Sequence, residues 1–470
     1  MTDLSYHTIG EIAALLEGRE ISPVELVEAQ LDRIARLDGT LHSYACVMAD
    51  KARADARMAE VEMAAGRRRS PLHGVPLGIK DLFWTKGQPT AGGTAIHRDF
   101  RPDCDSTAVQ RLHNAGAIPI GKLEMTEGAY SDYHPSVTPP LNPWNADYWP
   151  GISSSGPAVA VAAGLCYGAL ASDTGGSIRW PANANGITGL KPTWGRVSRY
   201  GTMELAASLD HVGVLTRSAA DAGLLLAAIA GPDRLDPTAL QAPRFVASTT
   251  SIDRIDGMRI GVDRRWNESD IDAAVQAVVA DAMQVLVGRG AVIVDIATPD
   301  VTAAVNDWPV NCAVEAAVAH KATYPSRKKE YGPVLASVIE HGNAVSGVEY
   351  QQVLLRRMAL RGAFDAEFVD IDVLMTPVQP FAPLTLAAIA TLGDQPDLIA
   401  KLQRFTCPFD MTGHPTITLP GGHDARGMPI GFQLVAAHLD EAALIRAGTA
   451  YQAVTDWHRR RPPLNGDAVR

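Results

Sequence analysis

Residues 150–181 read PGISSSGPAVAVAAGLCYGALASDTGGSIRWP. Two loops rich in glycine and serine, 150–157 and 173–179, enclose a predicted helix near 157–163 and a predicted strand near 166–172. In α/β proteins, the loops that follow strands commonly hold active sites. A helix that runs out and a strand that runs back return both loops to the same edge of a sheet. The stretch therefore predicts that Ser153 and Ser177, 24 positions apart, lie at one site.

The flanking sequence extends this pattern in both directions. Upstream, Val75, Leu77 and Ile79 alternate with other residues, which is typical of a strand, and this strand ends at Lys80. Strands alternate with helices along much of the chain, which predicts an α/β fold with a largely parallel or mixed sheet. The first 65 residues are predicted to be helical instead, and Ser22 and Glu25 predict a capping box at the start of one of these helices. Further predicted strands are 117–120, 258–262 and 291–296, and further predicted helices are 106–115 and 271–287.

Composition excludes several classes of protein. The chain has 470 residues, of which 46% are hydrophobic and 20% charged, so it can bury a large core and is not disordered. This length suits two to three domains or one large α/β unit. The formal net charge of −10 argues against nucleic-acid binding. The N-terminus lacks a signal-peptide pattern, and the longest uncharged stretch (157–172) is too short to cross a bilayer. The five cysteines are far apart and form no Cys-x-x-Cys pair, so structural disulfides are not expected. We expect a cytoplasmic protein without a membrane partner.

Common catalytic motifs are missing from the sequence. It contains no phosphate-binding Gly-x-x-x-x-Gly-Lys-Ser/Thr loop and no Gly-x-Ser-x-Gly elbow. It also contains no His-Glu-x-x-His helix, and its 13 histidines are scattered along the chain, so zinc hydrolysis is poorly supported. We therefore expect neither a metal nor a cofactor.

The loop around Ser177 suits acyl transfer. The glycines at 175 and 176 allow several backbone N–H groups to converge beside the Ser177 hydroxyl. Acyl transfer needs such a nucleophile beside an oxyanion hole. Burial would lower the pKa of Lys80, which could then act as a base. A Gly-Gly-Ser turn alone is usually structural and a lone strand-end lysine usually lies on the surface, so the hypothesis depends on Ser177, Ser153 and Lys80 occurring together.

Blocks of sequence along nearly the whole chain resemble the amidase-signature family. They include residues 73–81 (HGVPLGIKD), 121–127 (GKLEMTE), 142–144 (NPW), 173–181 (DTGGSIRWP), 189–193 (GLKPT), 412–415 (TGHP) and 429–433 (PIGFQ). The resemblance implies a single domain over 1–470 with a large central mixed sheet covered by helices on both faces. Within it, 1–65 would be an N-terminal helical segment, 66–220 the catalytic core, and 221–470 the rest of the sheet with the substrate-pocket helices.

The resemblance also implies roles for individual residues. Ser177 would be the nucleophile, Ser153 a bridging serine preceded by a cis peptide bond, and Lys80 the base. The backbone N–H groups of Thr174, Gly175, Gly176 and Ser177 would form the oxyanion hole. Ile152 departs from the family pattern, since a glycine usually precedes the bridging serine, and Pro157 also departs from it.

Other polar residues near these loops are given structural roles. We interpret Asp173 and Arg179 as partners that shape the Ser177 loop, and the Asp210-His211 pair as part of a structural motif. Met125, Tyr130, Ser154 and Trp308 are candidate pocket residues, although Met125 could equally fill the core. Aromatic residues near the site suit either binding of an apolar or aryl group or ordinary packing.

The expected function is hydrolysis of a small-molecule carboxylic amide, with aryl amides, carbamates and esters as further substrates. One alternative is the glutaminase subunit of a tRNA-dependent amidotransferase. Against this alternative, the sequence of residues 306–324 differs from the corresponding blocks of that subunit. The acidic residue with which that subunit holds glutamine is also replaced here, near Gln403. A second alternative is a non-catalytic binding protein on the same fold. A homodimer is the base-rate expectation for an enzyme of this size.

Overall fold

Eleven strands form one mixed sheet in the computed structural model, which describes residues 4–247, 252–324 and 326–464. The spatial order is β1-β3-β2-β4-β6-β5-β10-β11-β9-β7-β8. The strands of this described part are β1 (Tyr44–Val47), β2 (Pro76–Lys80), β3 (Ile118–Leu123), β4 (Gly168–Asp173), β5 (Thr188–Lys191), β6 (His211–Thr216), β7 (Arg259–Val262), β8 (Val292–Asp295), β9 (Val373–Pro377), β10 (Thr416–His423) and β11 (Pro429–Ala436). The strands predicted near 75–79, 117–120, 166–172, 258–262 and 291–296 are all present.

Sixteen α-helices accompany the sheet within the same residues. They are α1 (Ile9–Glu17), α2 (Pro23–Leu41), α3 (Ala49–Ala64), α4 (Thr107–Asn114), α5 (Ser155–Ala162), α6 (Arg179–Asn185), α7 (Ala219–Ile229), α8 (Arg264–Glu268), α9 (Ala273–Gly288), α10 (Thr302–Ala319), α11 (Pro333–Ala344), α12 (Gly347–Glu367), α13 (Leu386–Ala390), α14 (Pro396–Gln403), α15 (Cys407–Thr412) and α16 (Glu441–Gln452). Helix α2 begins as its sequence predicts, because Ser22 and Glu25 form a reciprocal capping box.

The N-terminal segment is not entirely helical. Strand β1 lies within the first 65 residues and pairs antiparallel with β3 at the edge of the sheet. The expectation of a purely helical segment is therefore wrong at 44–47. A four-residue strand is too short for its alternation to stand out from the helical pattern on either side.

Helices cover both faces of the sheet. Successive side chains of a strand point to opposite faces, and in β4 the buried Ala169 and Ala171 join one apolar cluster while Leu170 joins another. Helices α2, α3 and α5 contribute to the first cluster, and α1, α4, α7 and α16 to the second. The predicted α/β class, with a mixed sheet between two helical layers, is confirmed.

The topology brings the ends of two strands to one edge. Strands β2 and β4 are parallel neighbours, with Gly78 opposite Ala169 and Ile79 opposite Leu170. Their carboxyl ends, at Lys80 and Asp173, consequently lie side by side. Among the helices of residues 4–247, 252–324 and 326–464, none combines the length and the apolar character needed to cross a membrane.

Candidate active site

Lys80 lies at the centre of a buried cluster of hydroxyl groups. It is the last residue of β2 and is completely inaccessible to solvent. Its Nζ donates hydrogen bonds to Ser153 Oγ at 2.7 Å, Ser154 Oγ at 2.9 Å and Ser172 Oγ at 2.9 Å. Two of these serines belong to the first glycine-serine loop, and Ser172 belongs to β4. The predicted meeting of Lys80 and Ser153 is thus present in the structure.

Burial changes the protonation of this lysine. It lowers the pKa of Lys80 from 10.5 to about 7, while the nearby carboxylates of Asp173 and Asp210 oppose the shift. Desolvation dominates because it penalises the ammonium form but not the neutral amine. At neutral pH a substantial fraction of Lys80 is therefore the neutral amine. Such an amine keeps two N–H donors and offers one lone pair to a hydroxyl proton.

The two glycine-serine loops are joined directly to each other. The peptide bond between Ile152 and Ser153 is cis, as the family resemblance implies, even though isoleucine replaces the usual glycine. The next residue, Ser154, donates its backbone N–H to the carbonyl oxygen of Ser177 at 3.3 Å. Ser177 itself is 7% exposed. Ser177 lines a cavity, whereas Lys80, Ser153 and Ser154 are fully buried.

Asp173 organises the loop that carries Ser177. Its carboxylate accepts the backbone N–H of Gly176 at 2.6 Å and that of Ile178 at 2.9 Å. Since the Gly176 N–H is engaged in this way, it does not point freely at a substrate. The expectation that the Gly176 N–H is one of four oxyanion-hole donors is therefore wrong. The backbone N–H groups of Thr174, Gly175 and Ser177 are left as candidate donors.

Both glycines of this loop are required by close packing. A Cβ on Gly175 would lie 2.5 Å from the Trp308 ring, and a Cβ on Gly176 would lie 2.7 Å from the Trp180 ring. Gly176 also has a φ of +138°, which side-chain-bearing residues rarely adopt. The sequence Gly-Gly-Ser is therefore explained by two tryptophan rings that pack against the loop.

Arg179 ties the Ser177 loop to the C-terminal half of the chain. Its fully buried guanidinium contacts Asp173 at 2.9 Å and also pairs with Asp410 in α15. The Arg179 charge lowers the pKa of Asp173 despite its burial. Asp173 and Arg179 have the loop-shaping contacts that the sequence interpretation gave them. Asp410 was not foreseen, because it lies 231 residues away from Arg179.

We expect Arg179→Met to destabilise the protein strongly. Removing the guanidinium leaves the buried carboxyl groups of Asp173 and Asp410 without their hydrogen-bonded partner, which costs about 3–5 kcal/mol. Chemical denaturation measures the loss. Arg264→Met is the matched control, since its pair with Asp295 is exposed and contributes at most about 1 kcal/mol. Equal losses in the two variants would contradict the structural role of Arg179.

A cavity of about 430 Å³ opens in front of Ser177. Its wall is mostly apolar and aromatic. Tyr130 and Trp308 stack with an interplanar angle of 9° and centroids 6.4 Å apart, and Trp308 Nε1 donates to the Thr174 carbonyl at 2.7 Å. The remaining apolar lining includes Trp149, Ile152, Trp180, Leu205, Ile389, Leu392, Ile399 and Leu402. Tyr130 and Trp308 therefore lie where the sequence analysis placed them.

Two other candidate pocket residues lie elsewhere. Met125 is 1% exposed and lines a separate cavity of about 230 Å³. Ser154 is fully buried, with its hydroxyl between Lys80 Nζ and the Ser172 carbonyl. The expectation that they line the substrate cavity is wrong. Both side chains point into the protein interior, and the sequence alone does not fix that direction.

Asp210 has the structural contacts expected of it. Its carboxylate accepts the Thr174 hydroxyl at 2.7 Å and the backbone N–H of Leu205 at 3.0 Å. These bonds hold the Ser177 loop against the segment before β6. Ser172, which accepts a hydrogen bond from Lys80, is the residue of this cluster that the sequence did not predict. The available signal was its position one residue before Asp173, at the end of the strand next to Lys80.

Comparisons with known proteins agree with this arrangement. The Amidase family model matches residues 25–445. The chain belongs to the amidase-signature family. It is 47% identical over 456 residues to the "Putative amidase AmiD" of Mycobacterium bovis, covering 97% of this chain and 95% of that protein. A solved amidase structure superposes with a TM-score of 0.83 at 29% identity, covering 95% of this chain and 99% of that one.

The family also contains relatives with another role. The chain is 38% identical over 482 residues to one subunit of the glutamyl-tRNA(Gln) amidotransferase from a Synechococcus species, covering 97% of this chain and 98% of that protein. The match to the amidase is the stronger of the two. This amidase-signature protein is therefore an amide-hydrolysing enzyme, and the specific substrate is a separate question.

Proposed function

We propose that this enzyme hydrolyses linear carboxylic amides of small molecules through Ser177, Ser153 and Lys80. The observation that carries the proposal is the hydrogen bond between the buried Lys80 Nζ and Ser153 Oγ, on a loop bonded to the Ser177 backbone. Because the pKa of Lys80 is lowered to about 7, its neutral form can accept a proton at physiological pH. Covalent labelling with a fluorophosphonate probe tests the proposal, because the probe should modify Ser177 in the parent chain and nothing in Ser177→Ala.

In the proposed first half-reaction, Ser177 Oγ attacks the amide carbonyl carbon. The Ser177 proton passes to Ser153, whose own hydroxyl proton passes to Lys80 Nζ. The C–N bond then breaks, and the nitrogen takes a proton back along the same route and leaves as the free amine. In the second half-reaction a water molecule attacks the acyl-enzyme ester, which releases the carboxylic acid and restores Ser177.

The tetrahedral intermediates in this scheme carry an oxyanion. Backbone N–H groups of Thr174, Gly175 and Ser177 are the proposed donors, since they lie on the glycine turn beside the Ser177 hydroxyl. Trp308 supports their orientation by its bond to the Thr174 carbonyl and its packing on Gly175. Preorganised donors of this kind stabilise developing charge without reorganising during the reaction.

The cavity favours an apolar or aryl substituent on the amide. Its aromatic wall would bury a ring of about 150 Å², and the hydrophobic gain supports preferences on the order of 100-fold. We expect kcat/KM for anilides of aromatic acids to exceed that for acetamide by about this factor. A panel of aryl amides, aliphatic amides, esters and carbamates measures the preference. Faster turnover of acetamide would contradict the assignment.

The glutaminase alternative is less well supported by the cavity. Free glutamine carries both an ammonium and a carboxylate, and each would need a charged or strongly polar partner. The one charged residue in the cavity lining of the described chain is Asp132, which is exposed at its mouth, and Gln403 lies where the glutaminase subunit is expected to have an acid. We expect the isolated chain to hydrolyse a simple anilide and to release no ammonia from glutamine.

Three wider features complete the proposal. The chain acts as a single domain, which the continuous sheet from β1 to β8 supports because it joins strands from both halves of the sequence. Its partner is a small-molecule amide rather than a nucleic acid or a membrane. The homodimer expected from base rates stays a prediction, which sedimentation equilibrium would test.

Ser172 is proposed as a positioning residue for Lys80. Its Oγ accepts an N–H of Lys80 at 2.9 Å, and such an acceptor stabilises the ammonium form more than the neutral amine. Ser172→Ala should therefore lower the pKa of Lys80 further and move the acidic limb of the kcat/KM profile to lower pH. The pH profile measures this shift, and Ser269→Ala is the control because Ser269 is exposed and lies outside the lining of the cavity. A limb that moves to higher pH would contradict the role.

A further inference from the structure

Three side chains with metal-binding atoms meet on the far end of the C-terminal strands. Asp365 lies in the last turn of α12, His414 lies between α15 and β10, and His438 follows β11. Their ligand atoms all lie within 4.8 Å of one another. Asp365 Oδ1 is 3.1 Å from His414 Nε2 and 3.4 Å from His438 Nε2. The two imidazole rings are tilted by 33° to each other, with centroids 4.1 Å apart.

Hydrogen bonding does not account for this cluster. Within residues 4–247, 252–324 and 326–464, His414 Nε2 and His438 Nε2 are buried atoms without a hydrogen-bond partner. The His414 side chain is fully buried, and both nitrogens face the same carboxylate oxygen. A buried unpaired nitrogen costs about 1–3 kcal/mol, so two of them aimed at one point need an explanation.

The chemistry of these atoms suits a divalent transition metal. Two imidazoles and one carboxylate are common zinc ligands, with bonds of about 2.0–2.1 Å. Ligand atoms at the corners of such a tetrahedron are about 3.3 Å apart, close to both observed nitrogen–oxygen separations.

The surroundings of the cluster also resemble those of a metal site. His414 Nδ1 contacts Thr412 Oγ1 at 2.9 Å, and donation from Nδ1 would fix the tautomer with a free lone pair on Nε2. The Phe364 and Phe368 rings lie against His414 and limit its contact with solvent. The charged neighbours are Arg361, whose exposed Nε is 3.8 Å from Asp365 Oδ2, and Lys191, which donates to the His414 carbonyl.

We propose that Asp365, His414 and His438 bind one divalent transition-metal ion of the zinc type, with water as the fourth ligand. The ion would join the end of α12 to β10 and β11. It would not take part in amide hydrolysis, because none of its ligands lines the cavity at Ser177. The sequence predicted no metal, because it contains no helical zinc-hydrolase motif. The proposed site departs from that expectation, since its ligands come from three separate segments that form no local motif.

Titration of the EDTA-treated full-length chain with ZnCl2 by calorimetry tests the proposal. We expect one zinc ion per chain, a rise in Tm on binding, and visible absorption of tetrahedral Co²⁺ when cobalt replaces zinc. Asp365→Asn and His438→Ala should each weaken binding at least about 10-fold, and Thr412→Val by about 10–100-fold. Two control variants change exposed residues: Asp370→Asn lies just after α12, and His341→Ala lies in α11. Both should bind zinc like the parent chain.

The outcomes separate a metal site from a polar cluster. Asp365 and His438 are partly exposed, so their variants should remain folded, which circular dichroism of the metal-free proteins checks. Binding below one equivalent, or binding that the Asp365 and His438 variants leave unchanged, would overturn the proposal. The Co²⁺ spectrum provides a second readout: an octahedral spectrum in the parent chain would also overturn it.

Discussion

Ser177→Ala is expected to lose turnover by a factor on the order of 10⁵ while the protein stays folded. Ser177 lines the cavity, and the loss of its hydroxyl removes the oxygen that forms the acyl-enzyme in the proposed mechanism. The side chain makes little packing contribution, so Tm should change by no more than a degree or two. Steady-state kinetics on the best anilide of the panel, together with a thermal melt, measure both effects.

A fluorophosphonate probe gives the same prediction an independent readout. The parent chain should form one covalent adduct, mapped to Ser177 by peptide mass spectrometry, and Ser177→Ala should form none. Ser269→Ala, at an exposed position outside the lining of the cavity, should label and turn over like the parent. An unlabelled parent chain would favour the non-catalytic binding protein, and retained activity in Ser177→Ala would assign the nucleophile to another residue.

Lys80→Met is expected to lower kcat/KM by several orders of magnitude and to remove its acidic limb. The active form of Lys80 is the neutral amine, so activity of the parent should rise with pH through the lowered pKa of about 7. Methionine fills the buried volume without a titratable nitrogen. The residual rate should therefore follow only the hydroxide concentration rather than a group that titrates near 7. A pH profile of kcat/KM from pH 5 to 10 measures the change.

Lys191→Met is the matched control for this profile. Lys191 is also fully buried, and burial lowers its pKa to about 7 as well. Its Nζ donates to the carbonyl of His414, which lies just before β10, and Lys191 does not line the Ser177 cavity. Its variant should be less stable yet keep the acidic limb. An acidic limb that survives in Lys80→Met and vanishes in Lys191→Met would mean that Lys191, and not Lys80, is the base.

Local patterns were sufficient to predict much of the fold. The alternation of Val75, Leu77 and Ile79 and the capping box at Ser22 depend on neighbours within a few residues, and the structure has the expected strand and helix there. Strand β1 was missed because four residues at a sheet edge carry too little pattern. That Lys80 reaches the sheet edge of the two glycine-serine loops was the long-range prediction on which the site depended, and the parallel pairing of β2 with β4 accounts for it.

Side-chain direction was much harder to predict. Met125 and Ser154 both sit beside the site in sequence, yet one lines a different cavity and the other faces Lys80. Asp173 takes up the Gly176 N–H, which reduces the expected set of oxyanion donors. Each outcome depends on rotation about one or two bonds, which neighbouring chain segments decide by packing.

The sequence by itself determined which residues could carry chemistry and that Ser153, Ser177 and Lys80 reach one sheet edge, because strand periodicity and glycine-rich loops act over short distances. Only the tertiary structure decided the partners of those residues: Ser172 beside Lys80, Asp410 beside Arg179, and the cluster of Asp365, His414 and His438. These contacts join segments that are up to 231 residues apart. The packing of the whole sheet and its helices brings them together, and no local pattern encodes that packing.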